Sequence, residues 1–369
     1  MIRVLHIIQQ LGPGRGGVRT FVSTMLDCPA PDIEQSVLSV GRVEGDRFGE
    51  RFFGPLIDSY SPLLVGTLGA KRLGAFLSKH RFDIVQIHTN NALGFVFASE
   101  AKKAGVPSRI VHCHNSALGS TSRLKNMVNV AMIERFLPSA SERWACSEVA
   151  GEYLFQGAGY ALVHNGVDSD KFRFSSSDRA AVRHRLGIPG NATVIGFVGA
   201  GIPAKNTLRA LDIFNQLRSS EADSRLLLFG QAEELPLAKE KAAKLGLSES
   251  AVFIGTVDDI WRYYSAMDAL LAPSFHEGLP IAFIEAQANG LPILSSDAVT
   301  QEADLTGLLK RAALSLSDKE WADLLETCAG KRELTAEADY VPFLDKAGYT
   351  TRSLYEQLSD RYRNMTKGA

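Results

Sequence analysis

The stretch His276-Glu277-Gly278-Leu279-Pro280-Ile281-Ala282-Phe283-Ile284-Glu285-Ala286-Gln287 decides the reading of this chain. It carries two carboxylates eight positions apart, Glu277 and Glu285, with Gly-Leu-Pro after the first and the apolar run 269–272 just upstream. Pro280 suits the first turn of a helix, where its missing N–H costs nothing. The run 281–288 is rich in helix formers. The pattern therefore predicts a strand, a loop holding Glu277, and a helix carrying Glu285 about 8 Å along its axis. The start of such a helix offers unpaired N–H groups and a positive dipole end to an anion. A loop carboxylate, a helix carboxylate and that helix start can together hold a sugar, a ribose and a phosphate.

Glu277 sits within Pro-Ser-x-x-Glu-Gly-Leu-Pro and Glu285 opens Glu-Ala-Gln. The segment resembles the E-x7-E signature of the retaining glycosyltransferases of family 4, and most of all their branch that builds bacterial capsular and exopolysaccharides. Thr300-Gln301-Glu302-Ala303-Asp304-Leu305-Thr306-Gly307-Leu308, followed by Trp321-Ala322, adds to the resemblance, which runs over nearly the whole chain. It implies an α/β GT-B fold: two Rossmann-like domains facing a central cleft, with a C-terminal helix crossing back to the first. The expected domains are 1–168 on the acceptor side, 169–350 binding the nucleotide sugar, and 351–369 as the returning helix.

Composition agrees with two globular domains. The 369 residues exceed one ordinary core, and 45% hydrophobic with 22% charged residues is normal for a globular protein. A net charge of -1 argues against a nucleic-acid partner. Cys28, Cys113, Cys146 and Cys328 show no C-x-x-C spacing, which fits reduced thiols and a cytoplasmic protein. Met1 to Ile8 reads as a buried strand rather than a secretory leader, and no apolar run approaches the ~18–20 residues that span a bilayer. The expected location is cytoplasmic, with peripheral attachment to the inner face of the membrane open. The helical stretch 122–137 carries Arg123, Lys125 and Arg135 among many apolar residues. It reads either as a core helix or as a docking surface for anionic lipid, the core helix being favoured.

Short apolar runs alternate with helical stretches, as in stacked parallel α/β units. Strands are expected at 3–8, 35–40, 83–88, 108–114, 142–146 and 161–163, then at 194–198, 225–229, 251–254, 269–272 and 292–294. The Ser-, Asp- and Arg-rich segment 164–191 reads as a linker with one short helix at 177–186. In open α/β sheets, ligands sit beyond the carboxyl ends of strands, so the loops after strands carry the chemistry.

Several such loops stand out. Gly12-Pro13-Gly14-Arg15-Gly16-Gly17 follows the first strand, and the resemblance makes Gly16 and Gly17 donor contacts. His112-Cys113-His114-Asn115-Ser116 ends the fourth strand as a polar rim, with His114 matching the family's histidine near the transferred sugar and His88 a weaker candidate. Alternate strand residues face opposite ways, so His112, Cys113 and His114 cannot share one metal ion. In Gly199-Ala200-Gly201-Ile202-Pro203-Ala204-Lys205-Asn206 the resemblance implies that Lys205 and Asn206 contact the donor diphosphate, but Ala200 stands where the family has arginine. A charge-assisted phosphate contact contributes roughly 1.5–3 kcal/mol, and Arg15 or Arg19 is a candidate replacement. Gly230 and the 253–259 segment match positions near the nucleotide base, and Asn165-Gly166-Val167-Asp168 matches the interdomain hinge.

The resemblance implies a retaining hexosyltransferase using a nucleoside diphosphate sugar, expected to be UDP-linked, and a glycan or polyprenyl-diphosphate-linked acceptor. Glu277, His114 and Lys205 are the catalytic candidates. Gly16, Gly17, Lys205, Asn206, Gly230, Gly278, Leu279, Pro280 and Glu285 are the donor-binding candidates. Neither a metal nor another cofactor is expected. A nucleotide-sugar 2-epimerase on the same fold, or a non-catalytic GT-B subunit, are the alternatives.

Overall fold

The computed structural model describes residues 1–10, 17–44, 48–114, 123–277, 279–334 and 339–367. The chain divides into two compact units, Met1–Gly166 together with Thr351–Ala369, and Val167–Thr350.

The first unit is built on seven parallel strands: β1 (Ile2–Ile8), β2 (Ile33–Ser39), β3 (Phe52–Phe53), β4 (Ile84–Thr89), β5 (Ser108–Cys113), β6 (Glu142–Ala145) and β7 (Ala161–Leu162). Their order is β3-β2-β1-β4-β5-β6-β7, so the direction of winding reverses between β1 and β4. Strand residues alternate between two apolar layers. Leu5, Ile7, Val85, Ile87, Val111 and Cys113 pack under the helices Ala70–Lys79, Leu93–Lys103 and Glu148–Phe155. Val4, Ile8, Ile84, Ile110 and Trp144 face the helices Gly17–Leu26 and Thr351–Lys367. The second of these presents Leu354, Leu358 and Tyr362 at helical spacing, all buried. Tyr362 stacks on Trp144 at 6.1 Å between ring centres and donates its hydroxyl to Gln86. Arg363 forks onto Asp32 with contacts of 2.8 and 2.9 Å. The end of the chain is thus part of the first unit's core.

The second unit has six parallel strands: β8 (Val194–Val198), β9 (Arg225–Phe229), β10 (Ala251–Gly255), β11 (Ala269–Ala272), β12 (Ile293–Ser296) and β13 (Leu309–Ala312). The order β10-β9-β8-β11-β12-β13 reverses between β8 and β11. Leu226 and Leu228 feed one apolar layer, Leu227 and Phe229 the other. A run covered on both faces carries no polar alternation, as observed.

One expectation is corrected here. The segment 164–191 is not a linker. It contributes the helices Ser169–Phe172 and Ser176–Arg185, which bury Phe172, Val182 and Arg183 within the second unit. Arg179 and Arg183 both reach Asp268, at 2.6 and 2.8 Å, and Asp268 accepts the Val194 N–H at 2.7 Å. A charged composition that suggested solvent exposure instead serves a paired, buried cluster. β3, β13 and the helices Pro62–Leu64, Ser169–Phe172 and Val341–Lys346 are among the elements that the sequence pattern did not predict.

Candidate active site

The loops after β8 and β11 flank the point where the second sheet reverses, the place where open α/β sheets bind ligands. Both candidate side chains of this unit's centre come from them. Gly199 has φ +104°, and a Cβ there would press on the Lys205 stem at 2.9 Å. The missing side chain lets the lysine lie across the turn and reach Glu277, with which it forms a close ion pair. Ser274 donates its hydroxyl to the same carboxylate oxygen at 3.0 Å. Two further bonds tie the loops: Phe275 N–H to the Ala204 carbonyl at 2.8 Å, and the Asn206 amide to the Pro273 carbonyl at 3.1 Å. Asn206 itself adopts the left-handed conformation, φ 59°, that starts the helix Thr207–Ser220. Lys205, Asn206 and Glu277 are therefore assembled into one cluster.

Gly230 supports that cluster from below. At φ +132°, it lets the β9 end approach the Gly199-Ala200 backbone, where a Cβ would lie 2.7 Å from the Ala200 nitrogen. Ala200 is fully buried in the apolar layer with Phe197 and Leu228. An arginine at this position would have to leave that layer or disrupt it. Of its candidate replacements, Arg19 donates to the Glu44 carbonyl and lies over the Phe48 ring, and Arg15 lies outside the described residues.

Glu285 lies on the helix Ile281–Ala288, half-buried. Pro280 precedes this helix as its cap residue rather than forming its first turn. Leu279 packs against the second unit's core, and Gly278 lies outside the described residues. One Glu285 oxygen accepts the Tyr264 hydroxyl at 2.8 Å. Burial, and next the Glu285 charge, hold the Tyr264 phenol well above its usual range, so it stays a donor. Two residues further on, Gln287 performs a different task. Its Oε1 accepts from Leu305 N–H, Thr306 N–H and Thr306 hydroxyl at 2.9, 3.1 and 2.9 Å, while its amide donates to the Ala303 and Phe283 carbonyls. The Glu302 to Gly307 motif is thus bound to the Glu285 helix through one amide side chain.

The first unit gathers histidines on one side of its sheet. His6 on β1, His88 on β4, and His112 on β5 with His114 just beyond it lie next to one another, beneath Phe21 of the helix Gly17–Leu26. His112 is not a rim residue; it is fully enclosed between Phe21 and Trp144. Cys113 points the other way into the apolar layer, and His88 brings the third nitrogen instead. Nitrogens of His88, His112 and His114 lie within 4.8 Å of one another. His88 Nδ1 and His114 Nε2 are hydrogen-bonded to each other at 2.8 Å, so the pair is arranged around a proton. Burial lowers all four imidazoles, His6 to about 4 and His114 to about 3, with His88 and His112 well below the usual range. Asn165, read as hinge architecture, lies beside His114 and near Gly17, where the first helix starts. Gly16 lies outside the described residues.

Residues 15–171 match the family described as Glycosyltransferase Family 4, and residues 178–328 the one described as Glycosyl transferases group 1. The chain belongs to glycosyltransferase family 4. Across nearly its whole length, this glycosyltransferase is similar to "Putative glycosyltransferase EpsF" of Bacillus subtilis (strain 168): 28% identity over 391 residues, covering 99% of this chain and 97% of that protein. It is also similar to the UDP-Gal:alpha-D-GlcNAc-diphosphoundecaprenol alpha-1,3-galactosyltransferase of Escherichia coli, 27% identical over 255 residues, 67% of this chain and 66% of the other. Among solved structures, Anabaena Alr3699/HepE in complex with UDP and glucose superposes with a TM-score of 0.77 at 18% identity, covering 99% and 100% of the two chains. A UDP-N-acetylglucosamine 2-epimerase reaches 0.61 at 14% identity, over 99% and 98%. These likenesses establish the GT-B fold, as the E-x7-E reading expected.

Tyr264, Ser274, Gln287, His6, Gln35 and Asn165 were not singled out as site residues from the sequence. Ser274 lies three positions before Glu277, within the Pro-Ser-x-x-Glu pattern that could have found it; the partners that give the others their roles are distant along the chain, and no local spacing signals them.

Proposed function

We propose that this glycosyltransferase is a retaining hexosyltransferase that takes its sugar from a UDP-linked donor. Its acceptor would be a hydroxyl of a growing, lipid-linked bacterial surface glycan of the capsule or exopolysaccharide kind. The observation that carries the reading is the Lys205–Glu277 pair at the sheet's reversal point, with Glu285 on the helix that follows. In this reading a donor diphosphate takes Lys205 from Glu277. The lysine then balances the charge that the leaving diphosphate gains, and the released carboxylate turns to the sugar hydroxyls and the electron-poor anomeric carbon. Glu285, oriented by Tyr264, accepts the ribose diol. Gly17, Asn206, Gly230, Leu279 and Pro280 shape the donor site, and His114 contacts the transferred sugar. The anomeric carbon–oxygen bond to diphosphate breaks as the acceptor oxygen bonds on the same face, and the acceptor proton passes to a diphosphate oxygen. No metal takes part, so EDTA leaves turnover intact; its abolition by EDTA would contradict this.

The E. coli relative's name supports the lipid-linked acceptor. A surface feature supports a membrane location. The helix Arg123–Phe136 buries only Ile133 among its residues, so it is not the core helix favoured from the sequence. Leu124, Met127 and Val128 are exposed, as are Leu63, Leu64 and Leu68. Both groups flank the start of the helix Leu93–Lys103, through Asn129 against Ala92 and Gly66 against Leu93. We infer that this apolar face, with Arg123 and Lys125, docks on anionic lipid. Salt-sensitive binding to anionic vesicles that survives Arg123→Glu with Lys125→Glu would refute it. No helix among the described residues is long and apolar enough to cross a membrane.

The decisive experiment is calorimetric titration with UDP-, GDP- and TDP-hexoses, with Glu285→Ala beside it. Binding of one donor that the variant abolishes supports the reading; no binding of any overturns it. Incubation with donor alone, followed by NMR, separates transfer from 2-epimerisation, because only an epimerase changes the donor without an acceptor.

A further inference from the structure

Ser274 lies fully buried two residues beyond the end of β11. Three consecutive residues there are each pinned by a different contact. The Pro273 carbonyl accepts the Asn206 amide at 3.1 Å, the Ser274 carbonyl accepts the Ser296 hydroxyl at 2.6 Å, and the Phe275 N–H donates to the Ala204 carbonyl at 2.8 Å. Ser296 is itself fully buried at the end of β12. The backbone carrying the Ser274 hydroxyl is therefore fixed from two sides, by the Lys205 loop and by the neighbouring strand. A carboxylate oxygen only accepts, so the single Ser274 hydroxyl proton is committed to Glu277, at Oε1. Lys205 meets the same Oε1, and the Glu277 backbone is bridged to Val299. The two donors differ in kind. Lysine ends a flexible four-carbon stem and can swing to a stronger anion. The serine hydroxyl sits on a pinned backbone and cannot follow it.

We propose that Ser274 is a positioning residue: when a donor diphosphate draws Lys205 away, its hydroxyl keeps Glu277 Oε1 in place, so that the carboxylate presents Oε2 to the sugar. This rests on the reading of Lys205 and Glu277 given above. Without the serine, the diphosphate that removes the lysine would also release the carboxylate, whose side chain would then keep no hydrogen bond among the described residues. A carboxylate free to turn loses the orientation that stabilising an electron-poor anomeric carbon requires. The two donors thus have separate tasks. Lys205 compensates Glu277 until the donor arrives and then leaves with the diphosphate; Ser274 stays and sets the angle of the carboxylate.

Crystal structures of the whole chain with UDP, as wild type and as Ser274→Ala, test this directly. In the wild type, Lys205 Nζ should sit on a diphosphate oxygen while Glu277 Oε1 stays on the Ser274 hydroxyl. In the variant, Glu277 alone should lose its single conformation, with the Phe275–Ala204 and Asn206–Pro273 bonds intact. Glu277 turned away from Ser274 in the wild-type complex, or equally ordered in the variant, overturns the proposal. So does loss of both backbone bonds in the variant, since the serine then serves only the loop. Lys205 still on Glu277 with UDP bound, or no UDP bound at all, refutes instead the reading on which the proposal rests. Kinetics gives a second readout, with UDP-glucose and UDP-galactose as donors and UDP release as the signal. Ser274→Ala should lower kcat about 10- to 100-fold, as loss of a hydrogen bond to a charged group predicts. The donor KM and the calorimetric UDP affinity should stay within about threefold of wild type. An unchanged kcat, or kcat and UDP affinity falling together, overturns the positioning role, because a purely structural serine would disturb the Lys205 loop as well. Ser274→Cys keeps the volume with a weaker donor and gives the same comparison if the alanine variant fails to fold.

Discussion

Mild acid should unfold the first unit selectively. His6 is fully buried, and burial holds its pKa at about 4, against 6.5 for a free imidazole. The folded-state pKa is depressed, so the unfolded chain binds the proton more readily. Stability is therefore complete above pH 6.5 and falls as the pH drops from 6.5 toward 4. At pH 5 the unfolded chain gains about 1.5 pH units of protonation free energy, or about 2 kcal/mol at ~1.4 kcal/mol per unit. His88 and His112, buried and lowered in the same direction, add to this. The charges around the cluster do not relieve it: His112 faces Arg361, and the remaining neighbours are imidazoles, Gln35, Gln86 and Asn165. The second unit holds only His184 and His276, both exposed, and serves as an internal reference. Each unit reports separately in protein labelled with 5-fluorotryptophan, because Trp144 is the first unit's one tryptophan and Trp321 is buried in the second. Urea titrations at pH 7 and pH 5 should lower the Trp144 midpoint by about 1 M, for a slope of ~2 kcal/mol per M, and move Trp321 far less. Equal movement of the two resonances, or none, would refute the reasoning.

Three further outcomes are expected. Tyr264→Phe removes the hydroxyl that orients Glu285, and should raise the donor dissociation constant about tenfold with the fold intact; wild-type affinity beside a null Glu285→Ala would sink the positioning role. Gln287→Leu strands three donors of the 305–306 loop and should cost at least about 3 kcal/mol in a urea melt followed at Trp321; a loss under ~1 kcal/mol would show that the loop rests on other contacts. Gly230→Ala combines a φ of +132° with a clash against Ala200, and should cost about 1–3 kcal/mol from backbone strain alone, and more with the clash, again read at Trp321; a neutral result would mean the β9 turn can relax.

Much of the fold was legible along the chain. The buried runs 194–198, 225–229 and 269–272 and the helix 281–288 were expected at the boundaries observed, because each is a local pattern of apolar residues and caps. The two-residue strand β3 lacks enough residues to show any period, and β13 reads Leu-Lys-Arg-Ala at a sheet edge, where charge is tolerated. The 164–191 segment misled because the partner of Arg179 and Arg183, Asp268, lies 89 and 85 positions away along the chain.

The sequence by itself determined the two parallel α/β units, the Glu277 and Glu285 pair, and the loop that carries Lys205, since spacing and backbone preference are local properties. Only the tertiary structure decided that Lys205 meets Glu277, that Tyr264 holds Glu285, and that His6, His88, His112 and His114 gather on one side of the first sheet. Those contacts join residues on different strands and helices. Strand order and register bring them together, and no periodicity within one segment encodes which strand lies beside which.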